Sequence, residues 1–311
     1  MVDYNKYKLT EEEIKTGVED FFSQLMIEAK RRKIGAKKLE DLSSDEPKLS
    51  YVVGQPGAGK TTLSKNIQRQ YKDMEECVVE IGSDKIATYH RDYNELLTLM
   101  PEDCYAISRQ FTIPAGKIIS ETIRRNKINI VREISLSKGE KDYNDIKVFK
   151  DDNYNVEINI IAVDKFESFL SCIERDIKLM ELGYDPRPVA RINHDRMYDS
   201  FLQELIEIQK RKLCDKVNVY RRGKALNQVE LVYSTGDTSY ATAQDAIISE
   251  RGKNRKQLLS DSQDYLERLK EAREKVKVLV QDKKMQENYL DSIDELEVEF
   301  LQEMVFERRF D

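Results

Sequence analysis

Gly54-Gln-Pro-Gly-Ala-Gly-Lys60-Thr61 decides the architecture of this chain, because it carries the spacing G-x-x-x-x-G-K-[ST] between a strand and a helix. The apolar run Leu49–Val53 precedes it and the helix-like stretch Leu63–Tyr71 follows. Glycines let the backbone curl so that several N–H groups converge on a phosphate, and a helix opening near Gly59 adds the positive end of its dipole. Read this way, Gly54, Gln55, Pro56, Gly57, Ala58, Gly59, Lys60, Thr61 and Thr62 cradle the phosphates of ATP or GTP. Lys60 reaches the β- and γ-phosphates and the Thr61 hydroxyl binds Mg²⁺.

Outward from this loop, short apolar runs alternate with helix-like stretches. The strand-like runs are Leu49–Val53, Cys77–Ile81, Ile128–Val131, Val156–Val163, Val217–Tyr220 and Val229–Tyr233. Such alternation predicts an α/β fold, a P-loop kinase-like parallel sheet flanked by helices. Upstream, Thr10-Glu-Glu-Glu13 is a capping box ahead of Ile14, Val18, Phe21, Phe22, Leu25 and Met26 at helical spacing. Residues 1–47 therefore read as an amphipathic helix and a linker, and residues 48–250 as the nucleotide domain.

Within that domain the arginine-dotted helical segment from Lys165 to Leu213 is interrupted at Gly183-Tyr-Asp-Pro-Arg-Pro188, giving two helices and a hinge, a lid over residues 165–213. From Arg251 the composition turns helical and highly charged. Leu258, Tyr265, Leu266, Leu269, Ala272, Val276 and Leu279 form one apolar stripe, and Tyr289, Ile293, Leu296, Phe300, Leu301 and Met304 a second, with a break near Gln281–Lys284. Residues 251–311 thus predict an added C-terminal helical hairpin, either packing support or an arm that binds a partner or inhibits in cis.

The 311 residues are 40% hydrophobic and 35% charged with a formal net charge of -6, which provides for a sizeable core. Charges of both signs are interspersed, so no basic block invites nucleic acid. Cys77, Cys104, Cys172 and Cys214 lie far apart with no metal-ligand spacing, and only His90 and His194 are there to join them. Buried thiols in a reducing cytoplasm are the expectation. The N-terminus lacks the pattern of a signal peptide and no apolar run has the length of a membrane span, which points to a cytoplasmic protein away from membranes.

Ligands of such sheets sit beyond the carboxyl ends of the strands, so the neighbouring strand ends decide the chemistry. None ends in the Asp-Glu of a motor ATPase, and no Asn-Lys-x-Asp guanine-reading motif is present, which leaves a kinase. The second strand ends in Ile81-Gly-Ser-Asp84; the Asp84 carboxylate is placed to take the proton of an acceptor hydroxyl, or else to cap the helix that follows. Ile130-Val-Arg-Glu133 ends the third, so Glu133 and Ser135 face the acceptor or a Mg²⁺-bound water, or serve the loop. Arg175 and Arg191 are the cations for the transferring phosphoryl group, with Arg187 and Arg196 weaker candidates. In this reading the stripe Phe166, Phe169, Leu170, Ile173, Ile177, Met180 packs on the core and leaves Arg175 free. His90 is either a substrate contact or a partly buried histidine, and His194 begins a helix.

Together these motifs resemble the zeta-toxin family, kinase components of bacterial toxin–antitoxin systems, from about Tyr51 to Ile248. The family's strand-end acid-x-Asp and following histidine look like Ile81-Gly-Ser-Asp84 and His90. Its lid helix looks like Ser168-Phe-Leu-Ser-Cys-Ile-Glu-Arg175, its Ala-Arg like Ala190-Arg191, and its last strand pair like Val219-Tyr-Arg-Arg through Val232-Tyr-Ser. The resemblance implies that Asp84 is the base, that Arg175 and Arg191 hold the γ-phosphate, that ATP and Mg²⁺ are bound, and that the acceptor is the 3′-hydroxyl of the aminosugar of UDP-N-acetylglucosamine. It also implies an antitoxin protein as partner.

The chain departs from the family pattern at Gly82, at Arg91, and in the acceptor loop, which reads Glu133-Ile-Ser-Leu-Ser137. The expected activity is therefore a kinase of UDP-N-acetylglucosamine or a related UDP-sugar. A P-loop kinase of another small metabolite and a nucleotide-binding regulatory protein with little catalysis are the alternatives.

Overall fold

The computed structural model describes residues 4–31, 34–99, 101–223 and 227–307. Six strands form one sheet: β1 (Lys48–Val53), β2 (Val78–Glu80), β3 (Asn129–Ile134), β4 (Asn155–Ile161), β5 (Lys216–Arg222) and β6 (Val229–Ser234), in the order β2-β3-β1-β4-β5-β6. All six expected runs are strands. The pairs within β2 to β5 are parallel, whereas β6 returns antiparallel to β5, which the parallel expectation misses. A short connection after β5 leaves no room for a crossover helix, so the next strand must reverse.

The helices are α1 (Glu11–Arg31), α2 (Lys60–Asp73), α3 (Ser83–Ala87), α4 (Tyr93–Leu99), α5 (Pro101–Arg125), α6 (Glu140–Asp151), α7 (Lys165–Glu181), α8 (Arg191–Lys210), α9 (Ala243–Ser260), α10 (Ser262–Leu279) and α11 (Lys283–Glu307). The capping box ahead of α1 is present: the Thr10 amide donates to Glu13 Oε2 at 2.8 Å and the Glu13 amide to Thr10 Oγ1 at 3.2 Å.

Side-chain alternation along β1 divides the core between the two faces of the sheet. Leu49, Tyr51 and Val53 face a large cluster that includes Phe21 of α1, Phe111 of α5 and Phe201 of α8. Val52 faces the opposite way, onto Leu63, Ile67 and Tyr71 of α2. Strand β1 is thus buried on both sides, and its carboxyl end delivers the glycine-rich loop directly onto α2.

The expected lid segment is two helices, α7 and α8, with the Gly183–Pro188 stretch between them. The apolar stripe of α7 does not pack on the sheet, however. Phe166, Phe169, Leu170, Ile173 and Ile177 form one cluster with Tyr265, Leu269, Val276, Tyr289, Ile293 and Phe300, all of the C-terminal helices. The hairpin α10–α11 therefore completes the core of α7, and a further helix, α9, runs through the boundary expected at residue 250. A stripe on α7 with no sheet strand beneath it must find another apolar surface, and two charged-outside helices supply it.

Phe300 is fully buried, with its ring centroid 5.5 Å from Phe166 and 4.2 Å from Tyr265. Replacing it with alanine is expected to lower the unfolding free energy by about 3–5 kcal/mol, read from urea denaturation.

Candidate active site

The loop between β1 and α2 needs glycine at two points for a physical reason. Gly57 has φ +73° and Gly59 φ +107°, in the region that L side chains rarely adopt. A Cβ on Gly57 would also lie 1.9 Å from the Ser168 carbonyl oxygen of α7. Helix α7 therefore presses on the loop from outside. Lys60 sits at the start of α2, and its ammonium donates to the Gly54 and Gln55 carbonyls at 2.8 and 3.0 Å. Desolvation there lowers its pKa to about 8.

Gln55 does not point toward a phosphate. It is buried, donating to Val163 O at 2.9 Å and to Ser168 Oγ at 3.0 Å, and so fastens the loop to the start of α7.

The strand-end acids gather beside the loop. Glu133 pairs in register with Val52, the residue two before Gly54, and its carboxylate lies 3.5 Å from the Thr61 hydroxyl. Burial raises the Glu133 pKa, opposed by the Lys60 ammonium and reinforced by Glu80 and Asp84. Asp84 is exposed in the first turn of α3, whose N-cap is Gly82, so the capping role is not the one it plays. Its carboxylate accepts from Arg187 Nη1 at 2.9 Å, a contact that ties the stretch between α7 and α8 to the end of β2. Ser135 turns to its own loop, with its hydroxyl 2.9 Å from that of Ser137.

The two lid arginines are not in equivalent places. Arg175, 42% exposed, donates from Nε and Nη2 to Asp176 Oδ1 at 3.0 and 2.8 Å and from Nη2 to the Arg187 carbonyl at 2.7 Å; its charge is among those acting on Lys60. Arg191 is 10% exposed and points to α11: it donates to Asp195 Oδ2 at 2.8 Å and to Glu299 Oε2 at 2.9 Å, with its guanidinium 4.9 Å from the Phe169 ring centroid. Its Nη1 is buried without a partner. Arg175 is near enough for its charge to act on Lys60, whereas Arg191 is linked to the loop indirectly, through Asp195, His194 and Ser168. Arg196 donates to Asn193 on its own helix.

His90 is buried, taking the Asp92 amide proton on Nδ1 at 3.0 Å, edge-on to Phe111 of α5. This is the buried-histidine alternative. Burial lowers its pKa, as expected for an imidazole packed in that cluster. His194 lies in the first turn of α8, also buried, with Nε2 2.9 Å from the Ser168 hydroxyl.

Reasoning from sequence missed Arg222. It donates to the Ala58 carbonyl at 3.2 Å and to the Gly57 carbonyl, and to Glu167 Oε1 at 2.7 Å, clamping the loop to α7. Its signal was a cation at the carboxyl end of a strand, within the Val219-Tyr-Arg-Arg stretch already singled out. Among the described residues no group of three or more acidic, histidine or cysteine side chains is arranged to hold a metal, and none of the helices is long and apolar enough to cross a membrane.

A strand–glycine loop–helix with its lysine beneath the loop, acids at adjacent strand ends and an arginine-bearing helix pressed against it defines a P-loop protein of the kinase type. The chain belongs to the zeta-toxin family, whose family model, Zeta toxin, matches residues 32–231. It is 22% identical over 236 residues to Toxin PezT of Streptococcus pneumoniae serotype 4, covering 74% of this chain and 89% of that protein. It is 24% identical over 231 residues to Toxin zeta of Streptococcus agalactiae, covering 74% and 77%.

A solved structure from the PezAT chromosomal toxin–antitoxin system of Streptococcus pneumoniae superposes with a TM-score of 0.64 at 20% identity, over 86% of this chain and 98% of that one. One of AvrRxo1-ORF1 with ORF2 and ATP superposes at 0.50 with 12% identity, over 92% and 86%. Both share the fold. Helices α9, α10 and α11 lie beyond the residues that the family model matches.

Two outcomes follow from the loop. Gly57→Ala adds a Cβ against a backbone carbonyl at a positive φ, and is expected to weaken ATP binding at least about tenfold in calorimetry while the sheet stays folded. The Lys60 ammonium is present below its pKa of about 8 and lost as pH rises through it. ATP affinity is expected to fall above that pH, with net proton uptake on binding when titrated in buffers of different ionisation heat.

Proposed function

We propose that this chain is an ATP-dependent kinase that phosphorylates a hydroxyl of UDP-N-acetylglucosamine or a related UDP-sugar, and so acts as a zeta-type toxin. The observation that carries this reading is the convergence of Lys60, Thr61, Glu133 and Asp84 on one edge of the sheet with Arg175 beside them.

The residues present fit ATP. The positive-φ glycines shape a cradle of amides that no side chain can fill, and Lys60 lies under it. A bound Mg²⁺ would offset the charge of the phosphate oxygens; the exposed Thr61 hydroxyl at the start of α2, with the Glu133 carboxylate beside it, would hold it.

Asp84 orients the acceptor hydroxyl and takes its proton, while Arg175 faces the charge that develops on the transferring group. The Arg187–Asp84 contact closes the stretch between α7 and α8 over this edge. Both partners are largely exposed, 63% and 68%, so the bridge is worth about 0–1 kcal/mol and yields readily to an acceptor that takes Asp84.

The family membership supports the toxin role and the kinase class. The PezAT likeness supports an antitoxin protein as partner, and the ATP-bound AvrRxo1-ORF1 complex supports ATP as donor. A cytoplasmic site of action accords with a UDP-sugar substrate. The acceptor loop favours one alternative: with Ser135 turned to Ser137, a kinase of another small metabolite keeps the same donor machinery.

Mass spectrometry of UDP-N-acetylglucosamine incubated with ATP, Mg²⁺ and protein is expected to show a product one phosphate heavier, reduced at least about a hundredfold in Asp84→Ala. An unmodified sugar with wild-type protein that binds ATP would move the acceptor to another metabolite.

A further inference from the structure

The hairpin touches the site through two hydrogen-bonded relays that its packing role does not require. The first runs to Arg175. Asp176, 1% exposed, receives the Arg175 guanidinium on Oδ1 and the Tyr289 hydroxyl of α11 on Oδ2 at 2.8 Å. The Tyr289 ring is itself buried in the α7–hairpin cluster. The second runs to Arg191, whose Nη2 donates to Glu299 of the same helix at 2.9 Å, with Lys165 on the same Glu299 oxygen at 3.2 Å. Tyr289 and Glu299 stand about 15 Å apart along α11, one per arginine.

We propose that α11 is a positioning element of the phosphoryl-transfer site: Tyr289, acting through Asp176, fixes the Arg175 guanidinium, and Glu299 fixes Arg191, from which Asp195, His194 and Ser168 lead to Gln55 of the loop. The inference rests on the reading of Arg175 as a phosphate-facing cation. An exposed arginine samples many rotamers, and ordering it only when charge develops would cost rotamer entropy at that moment. The fork on Asp176 occupies Nε and Nη2 and leaves Nη1 for a ligand. A buried aspartate held on one oxygen alone would be free to turn. The tyrosine on its second oxygen prevents this, and burial pushes the Tyr289 hydroxyl toward its protonated, donating form. Helix α11 lies beyond the residues that the family model matches, so this support is read from the contacts of this chain and not from the family motif.

The test compares, by calorimetry on the full chain, the affinity for Mg·ADP with that for Mg·ADP plus aluminium fluoride, which mimics the transferring phosphoryl group and needs no acceptor. Wild type is expected to bind the fluoride complex much more tightly than ADP, and Arg175→Ala to lose that gain. Tyr289→Phe keeps the ring and removes the hydroxyl; it is expected to reduce the gain about five- to tenfold with ADP affinity unchanged. Glu299→Gln, at a half-exposed position that does not depend on the buried cluster, makes the same comparison through Arg191 and is expected to reduce the gain about threefold or more.

A full gain in folded Tyr289→Phe and Glu299→Gln, with the gain lost in Arg175→Ala, overturns the relays alone. No gain in wild type, or a full gain in Arg175→Ala, overturns the reading of the site and the relays with it.

Discussion

The close approach of α7 to the phosphate loop is the constraint on which the rest of the structure depends. The Ser168 carbonyl is so near Gly57 that no Cβ fits between them, and loop and helix are in direct backbone contact. Gln55 ties the loop to Ser168 from inside, and Arg222 ties the Gly57 and Ala58 carbonyls to Glu167 from outside. A loop whose amides must converge on phosphate has few side chains with which to hold itself, so its shape is imposed by what surrounds it.

Holding α7 in place is in turn the task of the C-terminal helices. One face of α7 carries the groups that meet the loop, and the opposite face is apolar and lies off the sheet. The hairpin covers that face and adds charge at its margin: Arg268 of α10 donates to both Glu167 and Glu174, and Glu167 also receives Arg222. Arg255 of α9 pairs with Asp164, the buried N-cap of α7, while the Asp164 side chain accepts from the Phe166 amide. Asp164 is buried, so displacing Arg255 would strand its charge, and that pair constrains orientation more than it adds net stability.

Much of this was legible in the chain. The loop motif, all six strands, the α1 capping box, the break between α7 and α8 and the turn between α10 and α11 follow from local patterns: glycine spacing, apolar periodicity, and proline or polar interruptions. Asp84 and Glu133 were legible as strand-end acids, since a parallel sheet brings its carboxyl ends to one edge. Arg191 and His90 were harder. Their residue types suit phosphate or substrate, yet Arg191 turns to Glu299 and His90 sits against Phe111. Neither partner is a sequence neighbour of the residue it meets.

The sequence by itself determined the elements and the chemistry of the loop, because both depend on residues within a few positions of one another. Tertiary structure decided the antiparallel return of β6, the partner of the α7 stripe, the Arg222 clamp and the Arg187–Asp84 contact. It also decided that one lid arginine turns to Asp176 and the Arg187 carbonyl, with its charge acting on Lys60, while the other faces α11. The physical reason is reach: a periodic stripe reports that a face must be buried but not against what, and a long cation reports charge but not direction. Both are resolved only when elements separated by up to 165 positions, as Gly57 and Arg222 are, come into contact.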